Sequence, residues 1–251
     1  MDNKERFSNR VENYVKYRPS YPKEAIDFLY GELGFAENSV IADVGAGTGI
    51  FSKLLLERGS EVVAVEPNEA MREAALKELG GQRGYRVSYG SAEETELPDS
   101  SVDFIVCAQS YHWFDKERAE REFKKIMKPG GKAVLIWNSR KTSGTPFLEQ
   151  FERLLLTYGT DYEKVGHKSI TQQTLQPYFR DGGPGLRTFQ MVQHVDESGL
   201  KGRMLSSSYT PTPDQPGYKE MMEELENIFR DHECDGTVAL EYVTEVYYGK
   251  V

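Results

Sequence analysis

The sequence DVGAGTG, residues 43–49, has the character of a ligand-binding turn, because its glycines lie between an apolar run and a helical pattern. Glycine leaves room for a ligand to approach the backbone. Glu66 closes the next apolar run, 21 residues after Gly45. In an open α/β sheet, a carboxylate at this point accepts hydrogen bonds from both hydroxyls of a bound ribose. The spacing therefore predicts a nucleoside site.

The details of the turn separate the kinds of nucleoside. The dinucleotide pattern G-x-G-x-x-G needs a glycine where this chain has Ile50, which disfavours a pyrophosphate. A triphosphate loop is not indicated either, because Lys53 lies four residues past Gly49 and precedes a leucine. The strand, the turn and the distal acid are nevertheless shared with NAD(P)-dependent oxidoreductases. That class stays open as an alternative.

An aromatic cluster follows the fourth apolar run, at residues 111–114. Aromatic faces attract cationic groups, so we expect Tyr111 and Trp113 to contact the ligands. His112 is the candidate general base, since imidazole is the side chain that titrates nearest neutral pH. The alternative is that His112 is a structural hydrogen-bonding residue between aromatic rings.

The remaining histidines and the cysteines do not indicate a metal or a disulfide framework. His167, His194 and His232 lack metal-ligand spacing with each other or with cysteine, so no metal is predicted. Two cysteines are too few for a secreted scaffold and suit a reducing compartment. Cys107 lies within an apolar run and is predicted to be a small buried filler. No G-x-S-x-G elbow is present, which leaves serine hydrolase chemistry without support.

Strand and helix patterns alternate from residue 39 onward. The nearly continuous apolar runs suit parallel strands that are covered by helices on both faces. Two last segments alternate apolar and polar residues like an antiparallel pair. The predicted strands are residues 39–44, 61–66, 85–90, 102–109, 132–138, 186–195 and 237–251. The fold class is therefore α/β, a Rossmann-like doubly wound and mostly parallel seven-stranded sheet with a C-terminal antiparallel pair and a helical cap.

The chain reads as one domain, residues 1–251. Residues 1–35 form an N-terminal helical arm, with Phe7 on the inner face of its first helix. Residues 39–138 form a cofactor-binding core, and residues 140–185 form a cap with one clear helix. Residues 186–251 supply the C-terminal strands and helices.

Composition limits the partners. The net charge of −9, from 40 acidic and 31 basic residues, repels a phosphate backbone, so nucleic acid is not expected as a substrate. No window approaches the length of a membrane span, and the polar N-terminus lacks a secretory signal. We therefore expect a cytoplasmic protein without membrane contact.

Four motifs occur together in the core: the D-x-G-x-G-x-G turn, EPNEAM after the second strand, GSAEETELP before the fourth, and MKPGG before the fifth. In this combination the chain resembles class I S-adenosylmethionine-dependent methyltransferases (methyltransferase type 11 domain family) over residues 39–138. RPSYP, YHWFD and SSSYTP further resemble the small-molecule branch that includes trans-aconitate methyltransferase-like proteins. The resemblance implies S-adenosylmethionine as the cofactor.

The resemblance also implies roles for the glycine turn and its acidic partner. Gly45, Gly47 and Gly49 would line the methionine and ribose portions of the cofactor. Asp43 would order the turn, and Glu66 would hold the ribose diol.

Two further segments would contact adenine. Met71 would pack on the ring, or it is only a core residue of its helix. The backbone around Ala92 would read the edge of the base. Many relatives carry an acid where this chain has Ser91, so Ser91 or Glu93 must take that contact.

The remaining candidates would surround the methyl group. Gln109 and Ser110 would face the methionine moiety and the sulfonium. Arg18 would bind the methionine carboxylate in a bidentate manner, or it is a solvated arginine beside a proline. Tyr209, in the SSSYTP stretch, would fix a polar acceptor between the sheet edge, the arm and the cap. The alternative is that SSSY is only a helix end whose hydroxyls cap the backbone.

The resulting hypothesis is a methyltransferase that acts on a small molecule by direct in-line transfer. A carboxylic acid acceptor needs no base, whereas a hydroxyl or an amine needs one. The alternatives are an NAD(P)-dependent oxidoreductase, a non-catalytic S-adenosylmethionine-binding protein, and a protein or RNA methyltransferase. The sequence does not indicate an oligomeric state.

Overall fold

The computed structural model describes residues 10–162 and 170–251. Its centre is a seven-stranded sheet with the order β3-β2-β1-β4-β5-β7-β6. The strands are β1 (Val40–Val44), β2 (Glu61–Val65), β3 (Tyr85–Ser88), β4 (Val102–Ala108), β5 (Met127–Arg140), β6 (Gly185–Val195) and β7 (Val238–Gly249). Strands β1 to β5 are parallel, and β7 is antiparallel to both β5 and β6. The predicted fold class is confirmed, because the apolar runs form the parallel strands and the alternating runs form the antiparallel pair.

Helices cover both faces of the sheet. They are α1 (Val11–Tyr17), α2 (Lys23–Gly31), α3 (Ile50–Leu56), α4 (Glu69–Leu79), α5 (Lys116–Ile126), α6 (Pro146–Tyr158), α7 (Gln172–Leu175), α8 (Glu197–Leu205) and α9 (Tyr218–His232). Helices α2 and α3 pack in one apolar cluster with the sheet. Helix α5 packs in a second cluster that includes Cys107, which is fully buried. Burial in these two layers fixes the sheet and leaves the carboxyl ends of its parallel strands accessible to ligands.

A third apolar cluster lies beyond the end of the sheet. It joins α6 to α8 and α9 and to the first half of β7. The predicted cap helix therefore packs mainly against residues from the C-terminal segment. This cluster therefore contains residues from both segments, 140–185 and 186–251.

Two elements differ from the sequence predictions. Helix α8 was not predicted, because its sequence ESGLKGRML has two glycines and a weak apolar periodicity. It is stabilised at its start by Asp196, whose carboxylate accepts a hydrogen bond of 2.6 Å from the Gly199 amide. Strand β5 begins at Met127, earlier than the predicted residue 132, because Met127 already pairs with Val102 across a register shift.

Three sequence predictions concern absences or undescribed residues. Phe7 and His167 lie outside the described residues. Across the described ranges, no helix is both long enough and apolar enough to cross a membrane. The same ranges contain no cluster of three or more histidine, cysteine or acidic side chains arranged to hold a metal ion.

Candidate active site

Two adjoining cavities open where the parallel strands end. The smaller has a volume of about 130 Å³ and the larger about 440 Å³. Gly45, Gln109 and Trp113 line both cavities. Strand order reverses between β1 and β4 at this point, and such a switch point is where open α/β sheets bind ligands.

Glu66 lies in the smaller cavity at the end of β2 and is only 8% exposed. Its two carboxylate oxygens accept hydrogen bonds of 2.8 Å from the amides of Gly47 and Asn68. Burial raises the pKa of Glu66, and these backbone donors oppose the rise. Each carboxylate oxygen retains a lone pair for a further donor, so the group can accept bonds from two neighbouring hydroxyls.

The three glycines of the turn have positive φ angles but different surroundings. A side chain at Gly45 would lie 2.5 Å from Cβ of Ser110, and one at Gly49 would lie 2.7 Å from Leu79. A side chain at Gly47 would meet no protein atom within 4 Å. Gly47 thus leaves open space for a ligand, while Gly49 lies outside both cavities and serves helix packing. The expectation that Gly49 lines the cofactor is therefore corrected, because a side chain at this position would point at α4.

Asp43 is fully buried beneath the turn. One oxygen accepts a 2.6 Å hydrogen bond from the hydroxyl of Ser52 on α3, and Oδ1 has no hydrogen-bond partner within the described residues. Burial raises the pKa of Asp43 to about 7; the Ser52 hydroxyl opposes this rise, and the charge of Glu66 adds to it. The side chain joins the end of β1 to the following helix and does not line either cavity.

The candidate adenine contacts line the smaller cavity. Met71 is 3% exposed and belongs to the first turn of α4, which Asn68 caps. Ser91 donates a 2.7 Å hydrogen bond to Glu93, whose other oxygen accepts one from the amide of Asp115. Ala92 is buried between them. The pair therefore presents carboxylate and hydroxyl oxygens to a ligand that offers an amino group.

Gln109 and Ser110 follow β4 directly. Gln109 has φ = 63°, a left-handed conformation that is rare outside glycine. Its backbone N–H donates a 2.8 Å hydrogen bond to the carbonyl oxygen of Ile136. Strained residues of this kind cluster at functional sites, where the surrounding structure holds them. Ser110 donates a 2.6 Å hydrogen bond to the carbonyl of Val44 and so ties β4 to β1 beneath the smaller cavity.

The aromatic cluster divides between the cavity and the core. His112 and Trp113 line the larger cavity. Tyr111 is 4% exposed, contacts the rings of Phe114 and Tyr178, and lines neither cavity. The expectation that Tyr111 contacts the ligands is corrected, because the short 3-10 helix at Tyr111–Trp113 turns Tyr111 into the core and leaves the next two side chains at the cavity.

His112 receives a hydrogen bond from a neighbouring strand. The indole nitrogen of Trp137, a group that can only donate, lies 3.3 Å from Nδ1 of His112. A neutral imidazole that accepts at Nδ1 carries its proton on Nε2. In this arrangement Nε2 is a donor toward its surroundings and is poorly suited to remove a proton.

Residues from distant segments complete the larger cavity. Arg18 donates a 2.9 Å hydrogen bond to the carbonyl of Ser206, and Tyr209 stacks edge-on against Tyr162 at 4.9 Å. Arg203 and Glu245 also line this cavity, and sequence analysis named neither of them. The sequence marks Glu245 only as a charged residue within a largely apolar strand. Arg203 lies in α8, a helix that is hard to predict because it contains two glycines.

The comparison with known families distinguishes the methyltransferase from the dinucleotide alternative. Residues 42–135 match a family described as a methyltransferase domain. This part of the chain is similar to methyltransferases. The resemblance inferred from the four motifs is thereby confirmed, and the match contains the glycine turn, Glu66 and Gln109.

Curated relatives match longer stretches of the chain than the family match does. An uncharacterised methyltransferase of Mycobacterium tuberculosis is 42% identical over 134 residues, which are 53% of this chain and 52% of the relative. A protein of Schizosaccharomyces pombe, described as uncharacterised and methyltransferase-like, is 34% identical over 156 residues, 62% of this chain and 59% of its own. The chain spans between half and three fifths of the length of these curated relatives.

Solved structures share the fold. A protein of Anaeromyxobacter dehalogenans, described as a candidate type II methyltransferase, superposes with a TM-score of 0.70 at 20% identity, covering 93% of this chain and 98% of its own. An S-adenosylmethionine-dependent methyltransferase of Aquifex aeolicus gives a TM-score of 0.53 at 16% identity, with 96% and 97% covered. The methyltransferase domain thus provides the smaller cavity, whereas much of the larger cavity's wall comes from residues outside it.

Proposed function

We propose that this chain binds S-adenosylmethionine and transfers its methyl group to a small molecule, with carboxylic acids as the favoured class. The observation that carries the proposal is Glu66, whose carboxylate is fixed by two backbone amides at the edge of a cavity that continues into a larger one. The methyltransferase domain supports the cofactor.

The residues of the smaller cavity fit an adenosyl group. Glu66 retains acceptor capacity for the two ribose hydroxyls, and Gly47 has open space where a side chain would stand. Met71 and Ala92 offer apolar surface to adenine, and Ser91 with Glu93 offers oxygens to its amino group. The larger cavity would then hold the methionine portion and the acceptor, with Arg18 as the partner of the methionine carboxylate.

S-adenosylmethionine supplies an electrophilic methyl group: the acceptor's lone pair forms the new bond to carbon while the carbon–sulfur bond breaks and leaves a neutral thioether. The protein's task is to align the two partners and to exclude water. Gln109 and Trp113 belong to both cavities and therefore lie where the methyl group would cross. The indole face of Trp113 would stabilise the positive sulfur through a cation–π contact.

The acceptor class follows from the proton requirement. A carboxylic acid is ionised at neutral pH, so its oxygen attacks without a base. A hydroxyl or ammonium acceptor would need one. The proton on Nε2 makes His112 a hydrogen-bond donor in this arrangement, which favours an acceptor that is already deprotonated. A volume of about 440 Å³ suits a small molecule.

The cofactor half of the proposal is tested by titrating S-adenosylhomocysteine into the wild type and the Glu66→Gln variant in a calorimeter. The amide loses an acceptor site and the charge, so we expect binding to weaken roughly 10- to 100-fold. Glu78→Gln is the matched control, because Glu78 is exposed on α4, forms an ion pair with Lys53 and lies outside both cavities. Equal affinities for wild type and Glu66→Gln would contradict the assigned role.

The catalytic half is tested by transfer of radiolabelled methyl from S-adenosylmethionine to a panel of small carboxylic acids, phenols and amines. We expect turnover with carboxylic acids. Turnover confined to phenols or amines would refute the acceptor class. Cofactor binding without turnover on any acceptor would favour a non-catalytic binding protein.

A further inference from the structure

We infer that Arg203 anchors a carboxylate of the methyl acceptor in the larger cavity. The inference rests on the proposed function and adds a specificity-determining residue to it. Arg203 lies near the end of α8, is partly buried, and lines the cavity together with Arg18 and Tyr209.

The hydrogen bonds of Arg203 leave part of its guanidinium available. Nε donates to the hydroxyl of Tyr242 at 3.3 Å, and Nη1 lies 3.1 Å from the hydroxyl of Ser207 and 3.4 Å from that of Ser206. All three partners are uncharged. Nη2 makes no hydrogen bond within residues 10–162 and 170–251, so its two N–H groups can serve a ligand.

Arg18 is the second cation of this wall. Its guanidinium stacks over the ring of Tyr14 at 4.8 Å, and it forms no ion pair with a carboxylate of the described residues. Its Nε is buried without a hydrogen-bond partner in the described ranges, and its Nη2 bonds only the Ser206 carbonyl. The two guanidinium groups lie close together, because Arg18 bonds the carbonyl of Ser206 and Arg203 lies 3.4 Å from its hydroxyl. Burial lowers the pKa of Arg18, and the positive charge of Arg203 lowers it further. Both are tethered to the same turn after α8.

The other charged groups of the cavity do not neutralise this pair. Arg140 forms an ion pair with Glu152, which also accepts a hydrogen bond from Tyr162. Glu245 accepts hydrogen bonds from the hydroxyls of Ser139 and Tyr247, and the described residues show no ion pair between it and an arginine. Among the described residues, the wall therefore presents two neighbouring positive charges that form no ion pair with a carboxylate.

Two like charges removed from water are unfavourable until anions approach them. The methionine carboxylate of the cofactor would supply one anion, at Arg18. No carboxylate among the described residues pairs with Arg203, and an acidic acceptor can supply the second anion. The planar guanidinium of Arg203 matches a carboxylate in geometry, which makes an acid a better ligand than its neutral amide.

The experiment measures carboxylate binding to protein that is saturated with S-adenosylhomocysteine. The probes are benzoate, glutarate and tricarballylate, with tricarballylamide as the uncharged counterpart and sodium chloride as the ionic-strength control. We expect at least one acid to bind the wild type, and its dissociation constant to rise about 10-fold or more in Arg203→Gln. Arg203→Lys keeps the charge and should recover part of the affinity.

Matched variants separate a binding role from a folding defect. Arg230→Gln removes an arginine from the surface of α9 and should change the affinity for neither ligand. Arg18→Gln should weaken the binding of S-adenosylhomocysteine more than that of the acid. Arg203→Gln should weaken the binding of the acid more than that of S-adenosylhomocysteine. The Arg203 variants must still bind S-adenosylhomocysteine, because this binding shows that they are folded.

Three outcomes overturn the inference: the wild type binds none of the acids, the amide binds as well as the acid, or Arg203→Gln binds the acids as the wild type does. Failure of the proposed function is distinct, because it would appear earlier, as a wild-type protein that does not bind S-adenosylhomocysteine.

Discussion

Asp43 and Glu66 are two buried carboxyl groups a strand apart, and their local partners give them different chemistry. Glu66 receives two backbone N–H groups, which stabilise its ionised form at the cavity edge. Asp43 receives one hydroxyl hydrogen bond and has an oxygen without a partner in the described residues, and burial raises its pKa to about 7. The first group is suited to bind a ligand, and the second is suited to hold the turn.

The raised pKa of Asp43 predicts a pH-dependent stability. Its pKa is about 7 in the folded chain, above the value near 4 expected when unfolded, so folding favours the protonated form. The stabilising contribution is full below about pH 4 and is lost as the pH rises through 7. We expect the free energy of unfolding of the wild type to fall more steeply with pH than that of Asp43→Asn, by up to about 1.4 kcal/mol per pH unit.

Urea denaturation between pH 4.5 and 7.5 measures the two slopes. Asp99→Asn is the control, because Asp99 is exposed and its replacement should leave the wild-type slope unchanged. Parallel curves for wild type and Asp43→Asn would show that Asp43 does not titrate in this range.

The first helix of the N-terminal arm, α1, packs against α8. Arg10 donates hydrogen bonds of 2.8 Å and 2.6 Å to the carbonyls of Leu205 and Thr210. Gly202 packs so closely that an added Cβ would lie 2.1 Å from the ring of Tyr17. Helices α1 and α8 can approach to this distance only because residue 202 has no side chain.

This close approach predicts an unusual effect of alanine in a helix. Alanine normally stabilises a helix by up to about 1 kcal/mol relative to glycine. Gly202→Ala should instead destabilise the protein by about 1–3 kcal/mol, because the methyl group overpacks the contact with Tyr17.

A double-mutant cycle isolates the clash. In a Tyr17→Ala background the ring is gone, and Gly202→Ala should be neutral or stabilising. The four free energies of unfolding come from urea titrations. Additive effects of the two substitutions would show that α1 does not press on α8 at this point.

At the scale of the whole molecule, the ligand cavity is the place where three packing units meet. The sheet ends provide its floor, and the arm and the cluster of α6, α8 and α9 together provide its wall. A ligand in the two cavities therefore contacts parts of the chain that are almost 200 residues apart, as are the partners Arg18 and Ser206. Binding should consequently stabilise distant segments together.

Hydrogen exchange with and without S-adenosylhomocysteine tests this coupling. At a ligand concentration of 100 times the dissociation constant, the bound state is favoured by about 2.7 kcal/mol. We expect exchange to slow about 10-fold or more in α1 and in residues 205–210, as well as in the glycine turn. Protection limited to the turn and to the start of α4 would show that the arm does not close on the ligand.

The sequence by itself determined the sheet, the glycine turn and the partnership of that turn with Glu66. These features follow from local rules: apolar runs form strands, glycine permits the left-handed turn, and parallel strands bring their carboxyl ends to one edge. The relation between Gly45 and Glu66 needs only neighbouring strands, and a one-dimensional spacing is enough to predict it.

Only the tertiary structure decided which neighbours face a ligand. Tyr111 and Trp113 are two residues apart, yet one is in the core and the other lines both cavities. In the same way, Gly47 leaves space for a ligand, whereas Gly49 permits close packing against α4. Arg203 meets Arg18 because α8 docks on α1, and that docking depends on the packing of side chains distant in sequence, which no local pattern encodes.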